Sequence, residues 1–331
     1  MEKKMEKQMF MLIVIGVSIS LCLILANYSH AEEYPIRPIE LYSGYTPGST
    51  YDITARLIAE IAPKYLGQPL VVVNKPGASG SLAASEVINS KPDGYKFIML
   101  PSTFQSLSVK VQKLSFNPNH LIPIASLAEI RSGFFVKGDS PWKTFHDMTD
   151  YAEKNPGKFR WTHGGRGTIL HITGMAMFKK LGLEAIEIPS KGSPEMTTAV
   201  IGGHIDGASG PYSAQKENVR AGKIKYLLFY TDHRYPDLAN IPTIIEAGFP
   251  EMSKFASLGV LWIHKDTPEK IIRILFNALK KTYEDPGYKK GLENLGEWPR
   301  FETGEYINKY IKESEEVGVP LLKSIGLYVE R

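Results

Sequence analysis

The feature that most constrains the fold is a repeated order of short apolar strand, hydroxyl-bearing turn and helix. The run 38–43 is apolar, and the turn after it contains Pro47 and Gly48 before helical spacing begins at Ile53. The β-branched run 70–74 leads in the same way into a Gly-rich turn and a second helix. Strands that alternate with helices predict an α/β fold with mostly parallel sheet. Ligands of such sheets bind beyond the carboxyl ends of the strands, where these turns lie.

The first turn is predicted to bind an anion. Ser49 or Thr50 is suited to cap the helix, and Asp52 then falls in its first turn, where the helix dipole favours an acid. The first backbone N–H groups of a helix have no partner within the helix. Together with the two hydroxyl groups, they favour a bound anionic group.

A second α/β block follows the first. Apolar runs at 122–136 and 256–263 are suited to cross between two domains, which favours a two-domain clamp over two separate units. A helix is expected to begin at Ser209, directly after a strand at 205–208. Other strands are expected at 95–100, 158–162, 185–188 and 225–230, and other helices at 141–155, 169–181, 194–201, 242–248, 268–284, 287–295 and 303–323.

The N-terminus has the pattern of a secretory signal peptide. Three lysines precede an apolar run at 9–26, and the small residues Ser29 and Ala31 then occupy the −3 and −1 positions of a cleavage site. We expect cleavage after about Ala31 and a periplasmic mature protein. A retained membrane anchor is the alternative, because the run is close to the minimum spanning length. Cys22 is the single cysteine and lies in this segment, so the mature chain is expected to have no disulfide and no cysteine–metal site.

Composition argues against nucleic-acid binding. The 39 basic and 35 acidic residues give a formal charge of +4, and no basic block stands out beyond the N-terminus. Phosphate-loop, dinucleotide and HExxH motifs do not occur, so no cofactor is expected. The histidines lack tight metal spacing; a surface or capping role is expected for each, and no metal site is predicted. A secreted hydrolase that uses Ser79 or Ser209 is an alternative function, although both sequences fall one residue short of GxSxG.

The chain also resembles a known family over essentially the whole mature sequence. The resemblance rests on several motifs in order: Tyr34 to Asp52, Leu66-Gly67-Gln68-Pro69 to Gly80, Pro92-Asp93-Gly94-Tyr95, Gly165 to His171, Lys191-Gly192-Ser193-Pro194 and Gly202-Gly203-His204-Ile205-Asp206. In these the chain is similar to the Bug/TctC family, the extracytoplasmic solute receptors of tripartite tricarboxylate transporters.

The resemblance implies a type II periplasmic-binding-protein fold, in which two α/β domains joined by two crossing strands close on a ligand. It implies domain 1 at 32–132 and 257–305, and domain 2 at 133–256, with 306–331 also assigned provisionally to domain 2. It further implies a monomer that captures a small carboxylate and delivers it to membrane permease subunits, without catalysis. A ligand sensor for a membrane signalling partner is a further alternative.

The same resemblance implies which residues bind the ligand. Domain 1 would supply three turns: Tyr45, Pro47, Gly48, Ser49, Thr50 and Asp52; then Ala78 and Ser79; then Ser102 and Thr103. Domain 2 would supply His163, Gly165, Arg166, Thr168, His171, Lys191 and Ser209. Arg166 could clamp a second carboxylate or lie exposed, and His171 is expected to support its turn more than touch the ligand. Ser190, where relatives usually have Tyr, and Met175, where they often have Glu, suggest altered chemistry on the domain 2 side.

Overall fold

Two β-sheets organise the chain. The computed structural model describes Met11 and residues 34–330, so the predicted signal peptide lies almost wholly outside the described residues. We call the part built on the six-stranded sheet lobe 1 and the part built on the five-stranded sheet lobe 2. The strands of lobe 1 are β1 (Ile39–Ser43), β2 (Leu70–Asn74), β3 (Lys96–Pro101), β4 (Leu121–Ile130), β10 (Ser257–His264) and β11 (Trp298–Thr303). The strands of lobe 2 are β5 (Ser132–Lys137), β6 (Arg160–His163), β7 (Ile186–Glu187), β8 (Gly207–Pro211) and β9 (Ile224–Phe229).

Both sheets are mixed rather than mostly parallel. In lobe 1 the strand order is β11-β4-β10-β3-β1-β2. There β1 pairs in parallel with β2 and β3, whereas β10 runs antiparallel to β3 and β4. In lobe 2 the strand order is β7-β6-β8-β5-β9. There β6 runs parallel to β7 and β8, whereas β5 runs antiparallel to β8 and β9. The α/β class is therefore as predicted, but the expectation of mostly parallel sheet is wrong, because the strands next to the crossings enter each sheet in the opposite direction.

Except at 209–211 and 242–248, the helices follow the predicted order, with small differences at their ends. Pro63 ends the first helix and begins a short second one, as expected of a residue without a backbone N–H. None of the helices in the described part of the chain is long and apolar enough to cross a bilayer. The helices are α1 (Thr50–Ile61), α2 (Pro63–Leu66), α3 (Ser81–Ile88), α4 (Phe145–Lys154), α5 (Ile169–Lys180), α6 (Ser193–Ile201), α7 (Lys216–Arg220), α8 (Glu269–Glu284), α9 (Pro286–Leu295) and α10 (Gly304–Ser324).

Each lobe has its own apolar core. Side chains alternate between the two faces of a strand, and on β5 this places Phe134 in one cluster and Phe135 in another, on opposite faces of the lobe 2 sheet. In lobe 1, Ile98 and Trp262 lie in a third cluster. Helices therefore cover the sheets, and the turns at the strand ends are left to face the space between the lobes.

The lobes are connected at three places. Arg131 is the single residue between β4 and β5, so the chain passes directly from one sheet to the other. Residues 230–256 lead back from β9 to β10. The last helix, α10, belongs to both lobes, because Ile307 lies in the lobe 1 core and Leu322 in the lobe 2 core.

Two predicted helices are absent from the structure, and one strand in it was not predicted. The helix expected to begin at Ser209 does not form there, since β8 continues to Pro211. Its sequence resembles a turn because it is made of small residues, but a Cβ on Gly207 would lie 2.6 Å from Phe134 and one on Gly210 2.8 Å from Phe135. Small residues are therefore required by packing. The segment predicted as a helix at 242–248 forms turns, and β11 was not predicted.

Candidate functional site

A cavity of about 380 Å³ lies between the two sheets. Its walls come from the turns that follow β1, β2, β6 and β7, and its floor includes Ile130 and Ser132 on either side of the strand crossing. Eleven of the predicted site residues line it: Tyr45, Pro47, Gly48, Ser49, Thr50, Ala78, Ser79, Gly165, Arg166, Thr168 and Lys191. Six do not: Asp52, Ser102, Thr103, His163, His171 and Ser209.

The first turn is held in place by Asp52. Ser49 caps α1 as predicted, since its side chain accepts a hydrogen bond from the backbone N–H of Asp52. The buried Asp52 carboxylate accepts from the N–H of Gly48 at 2.8 Å and from Asn74 Nδ2 at 2.8 Å. It also pairs with Arg56. Asp52 therefore shapes the turn from behind and does not face the cavity.

Burial and hydrogen bonding act in opposite directions on Asp52. Burial alone would raise its pKa, but the hydrogen bonds from Arg56, Gly48 and Asn74 outweigh burial and hold the pKa below its usual value. The group therefore stays ionised at neutral pH. A permanent acceptor is thus available to fix the Gly48 N–H and, through it, the turn.

Two aromatic rings form the side of the cavity next to this turn. Tyr45 and Tyr51 stack with ring centroids 4.8 Å apart. The Tyr51 hydroxyl lies 2.6 Å from Ser257 Oγ, which ties the start of α1 to β10. Tyr45 thus lines the cavity, as the resemblance implies. Tyr51 and Ser257 also line the cavity, and both were missed by sequence reasoning.

The second turn is in close contact with the first. A Cβ on Gly44 would lie 2.6 Å from the Cα of Gly80, so the two backbones meet where only glycine fits. Ala78 and Ser79 have φ of 48° and 52°, a left-handed conformation that is rare for residues with side chains. Such strain is concentrated at binding sites in proteins.

The third predicted turn lies behind the cavity. Ser102 and Thr103 are fully buried. Ser102 Oγ accepts from the N–H of Leu258 at 3.2 Å, and so connects the end of β3 to β10. Pro101, the last residue of β3, lines the cavity instead. The Ser102 hydroxyl is therefore structural.

The Gly-rich loop at 164–168 forms the opposite wall, and two buried histidines lie beneath it. The N–H of Gly165 donates to His163 Nδ1 and the N–H of Gly167 donates to His171 Nδ1, each at 3.1 Å. Each Nε2 lies near Glu187 Oε1, at 2.9 Å for His163 and 3.2 Å for His171. The two histidines thus support the loop and do not reach the ligand space.

His163, His171 and Glu187 each place one possible metal-ligating atom within 4.8 Å of the others, so the cluster has the spacing of a candidate metal site. A backbone N–H can only donate, so each Nδ1 must be the unprotonated nitrogen. In a neutral imidazole the Nε2 then carries the proton and points at Glu187. Neither Nε2 has a free lone pair for a metal ion, so the cluster fits a hydrogen-bonded support better than a metal centre.

Ser209 serves the core of lobe 2. Its Oγ donates to the carbonyl oxygen of Leu170 at 2.7 Å and lies 2.8 Å from the Tyr230 hydroxyl. Because the strand continues through Ser209, its side chain points into the sheet packing and not into a turn. Ser79 Oγ donates to the carbonyl oxygen of Arg166. Among the described residues, neither serine forms the hydrogen bond to a histidine that a serine hydrolase requires.

The charges at the cavity have one sign. Among the described residues that line it, Arg166 and Lys191 are basic and none is acidic. The N-terminal residues of α1, α5 and α6 also line it, and the positive ends of these helix dipoles add to the same potential. Ser190 Oγ donates to the carbonyl oxygen of His163 at 2.8 Å, and so links the segment before α6 to the loop support. The cavity is therefore suited to an anion.

Two mixed α/β lobes with a cleft between them define a binding protein of the periplasmic, two-domain class. The family described as "Tripartite tricarboxylate transporter family receptor", TctC, matches residues 54–327. The chain therefore belongs to this family.

Individual relatives agree with that assignment. A UPF0065 protein in the gbd 5′ region of Cupriavidus necator is 32% identical over 302 residues, which are 90% of this chain and 90% of the relative. A solved periplasmic transporter is 27% identical with a TM-score of 0.82, and covers 90% of this chain and 100% of its own. R. palustris Rpa4515, solved with adipate, is 26% identical with a TM-score of 0.80, and covers 89% of this chain and 99% of its own.

Proposed function

We propose that this protein is an exported solute receptor that captures a small carboxylate in the cleft and delivers it to the membrane permease subunits of a tripartite transporter. The observation that carries the proposal is the positive charge of the cavity. Two basic side chains and three helix N-termini line it, and none of the described lining residues is acidic. A carboxylate bound there would accept hydrogen bonds from the helix-start N–H groups and hydroxyls.

The lobe 1 side supplies the recognition of one carboxylate group. Ser49 and Thr50 bring hydroxyls to the cavity, whereas the Ser79 hydroxyl already donates to the carbonyl oxygen of Arg166. The first N–H groups of α1 lie beside them, in a turn that Asp52 keeps rigid. We propose that Arg166 and Lys191 on lobe 2 then decide which carboxylate is held, since both are exposed at the cavity and differ in geometry. The adipate complex of Rpa4515 supports the inclusion of aliphatic diacids among the candidates.

We retain the predicted organisation as part of the proposal. Domain 1 comprises 32–132 and 257–305 and domain 2 comprises 133–256, while α10 packs on both lobes. Export requires the N-terminal segment, whose cleavage after about Ala31 would be seen by N-terminal sequencing of the secreted protein. We further propose that the receptor acts as a monomer and without catalysis.

A thermal-shift screen of mono-, di- and tricarboxylates tests ligand binding. A ligand that binds only the folded state raises the melting temperature, by an amount that corresponds to about 2.7 kcal/mol at a hundred times Kd. Amides and esters of the same acids are the matched compounds, and they should shift the melting temperature much less. If no acid raises it, or if an ester is hydrolysed, the receptor proposal is wrong.

Variants of the two basic residues show where the acid binds. Arg166→Gln and Lys191→Gln each remove one positive charge at the cavity. Lys158→Gln removes one from an exposed surface position that does not line the cavity, and so is the control. The proposal expects weaker binding in at least one of the first two variants and unchanged binding in the control.

Transport and sensing are separated by a cellular assay. Cells that express the receptor with the two permease subunits should accumulate the radiolabelled acid, and cells without the permease should not. Accumulation that does not depend on the permease, together with ligand-dependent signalling, would favour the sensor alternative.

A further inference from the structure

The loop at 164–168 forms one wall of the cavity, yet few of its own side chains hold it in shape. Gly164, Gly165 and Gly167 leave the backbone flexible, and Gly165 and Gly167 have φ of 131° and 76°. The cost of ordering such a segment must be met by contacts from outside it. The Gly165 carbonyl oxygen accepts from Thr168 Oγ1 within the loop, but the N–H groups of Gly165 and Gly167 find their acceptors on the two histidines beneath.

We propose that His163 and His171 are positioning residues, which hold the loop in its ligand-binding shape through unprotonated Nδ1 atoms while Glu187 anchors both Nε2–H groups. The two acceptors lie on different elements, His163 at the end of β6 and His171 in the first turn of α5. The anchor lies on β7. Three elements of lobe 2 thus converge on one loop, and the shape of the loop depends on the tautomer of both rings.

The surroundings of the rings keep them neutral. His163 and His171 are buried, and their ring centroids are 4.3 Å apart. Burial lowers the pKa of His163, and burial together with the neighbouring His163 lowers the pKa of His171 to about 4. Glu187 on β7 opposes this effect on both rings, and Arg166 in the loop adds to it. Trp161 on β6 packs against His163 and carries no charge.

Protonation of either ring would disrupt the support. A protonated imidazole donates from both nitrogens, so its Nδ1–H would face a backbone N–H that also donates. The hydrogen bond to Gly165 or Gly167 would then be lost. Acidification is therefore expected to free the loop. The step from loop shape to ligand affinity rests on the proposed function, whereas the tautomers and the loop bonds do not.

Nitrogen NMR of the imidazole rings tests the proposal directly. At pH 7 both histidines should show an unprotonated Nδ1 and a protonated Nε2. The amides of Gly165 and Gly167 should be protected from hydrogen exchange. The opposite tautomer, or rapid exchange of both amides, would overturn the proposal.

Two substitutions of His171 separate its two nitrogens. In His171→Asn the side-chain oxygen stands near the position of Nδ1 and still accepts from Gly167. In His171→Gln the amide nitrogen stands near Nε2, contacts Glu187 and leaves Gly167 without its acceptor. We expect exchange of the Gly167 amide to rise at least about tenfold in His171→Gln and much less in His171→Asn. Equal exchange in the two variants would contradict the positioning role.

Controls distinguish this role from others. His146→Gln changes a histidine whose side chain is 82% exposed, and it should leave both glycine amides unchanged. Added Zn²⁺ should not move the ring signals at pH 7; tight zinc binding with loss of the Nε2 protons would show a metal site instead. Titration of the wild type with adipate in the same sample reports separately on the proposed function. If adipate does not bind but the tautomers and protected amides are found, the positioning inference stands.

Discussion

Ser79 Oγ donates a 2.8 Å hydrogen bond to the carbonyl oxygen of Arg166, so the second turn of lobe 1 touches the Gly-rich loop of lobe 2. A second contact between the lobes joins Thr50 Oγ1 and Ser213 Oγ at 2.7 Å. Both contacts lie beside the cavity, since Ser79, Arg166 and Thr50 line it. The same groups thus bound the ligand space and hold the lobes together.

Loss of the first contact should weaken ligand binding. Ser79→Ala removes one neutral hydrogen bond between the lobes, which is worth about 1 kcal/mol, or roughly a fivefold rise in Kd. Calorimetric titration with the best acid from the screen would measure this change. Ser253→Ala, which removes a local hydrogen bond to Pro250, is the control and should leave Kd unchanged. An unchanged Kd in Ser79→Ala would mean that the contact does not contribute to the bound state.

Protonation of Asp52 should lower the stability of the folded protein in acid. Its pKa is held below the usual value in the folded state, so its contribution is present above the unfolded value of about 3.9 and is lost as the pH falls towards the folded value. Urea unfolding between pH 3 and 7 should show a smaller loss of stability on acidification in Asp52→Asn than in the wild type. Parallel curves for the two proteins would contradict this assignment.

Ionisation of Glu297 should lower the stability of the folded protein as the pH rises. It is fully buried and accepts from the N–H of Arg131 at 2.8 Å, and burial raises its pKa to about 8. The folded state keeps a proton that the unfolded state releases above about pH 4.3, so stability should fall as the pH rises from there to about 8. In Glu297→Gln this decline should be smaller. Thermal unfolding over pH 5 to 8 would measure the difference, and an equal decline in both proteins would exclude Glu297 as its source.

The contact between the first two turns should tolerate no added methyl group. In Gly44→Ala the new Cβ would meet the Gly80 backbone at 2.6 Å, and we expect a loss of about 1–3 kcal/mol of stability with weaker ligand binding. Gly164→Ala is the matched control in the same cavity, because its nearest neighbour is the Leu170 side chain at 4.0 Å. Chemical denaturation of both variants tests the expectation. Similar stability of the two would show that the turns can move apart.

Much of the fold follows from local sequence signals. The cap at Ser49 and the strand at 70–74 each depend on neighbouring residues, and both are found as predicted. The continuation of β8 from the predicted strand at 205–208 to Pro211 could not be predicted in this way. Its small residues are required by Phe134 and Phe135, which lie more than 70 positions earlier in the chain.

The site shows the same division. Turns that follow strands were located correctly at Ser49, Ser79 and Arg166, because hydroxyl and glycine residues there have a local cause. Whether a side chain faces the cavity or the core is a tertiary property. Ser102 and His163 therefore appeared equivalent to lining residues, while Tyr51 and Ser257 carried no signal that distinguishes them from core residues.

The junction at Arg131 has a mechanical consequence. Its N–H is bonded to Glu297 and its guanidinium pairs with Asp237, so the single residue between the two sheets is fixed at both ends. A pivot without slack permits rotation but little translation. Residues next to the pivot, such as Ile130 and Ser132, would keep their distance from each other at any angle between the lobes. Residues at the far edges of the cavity would move the most. The end of the cavity near Arg131 would then keep the same width for one end of any ligand, and only the far end of the cavity would adjust to the length of the ligand.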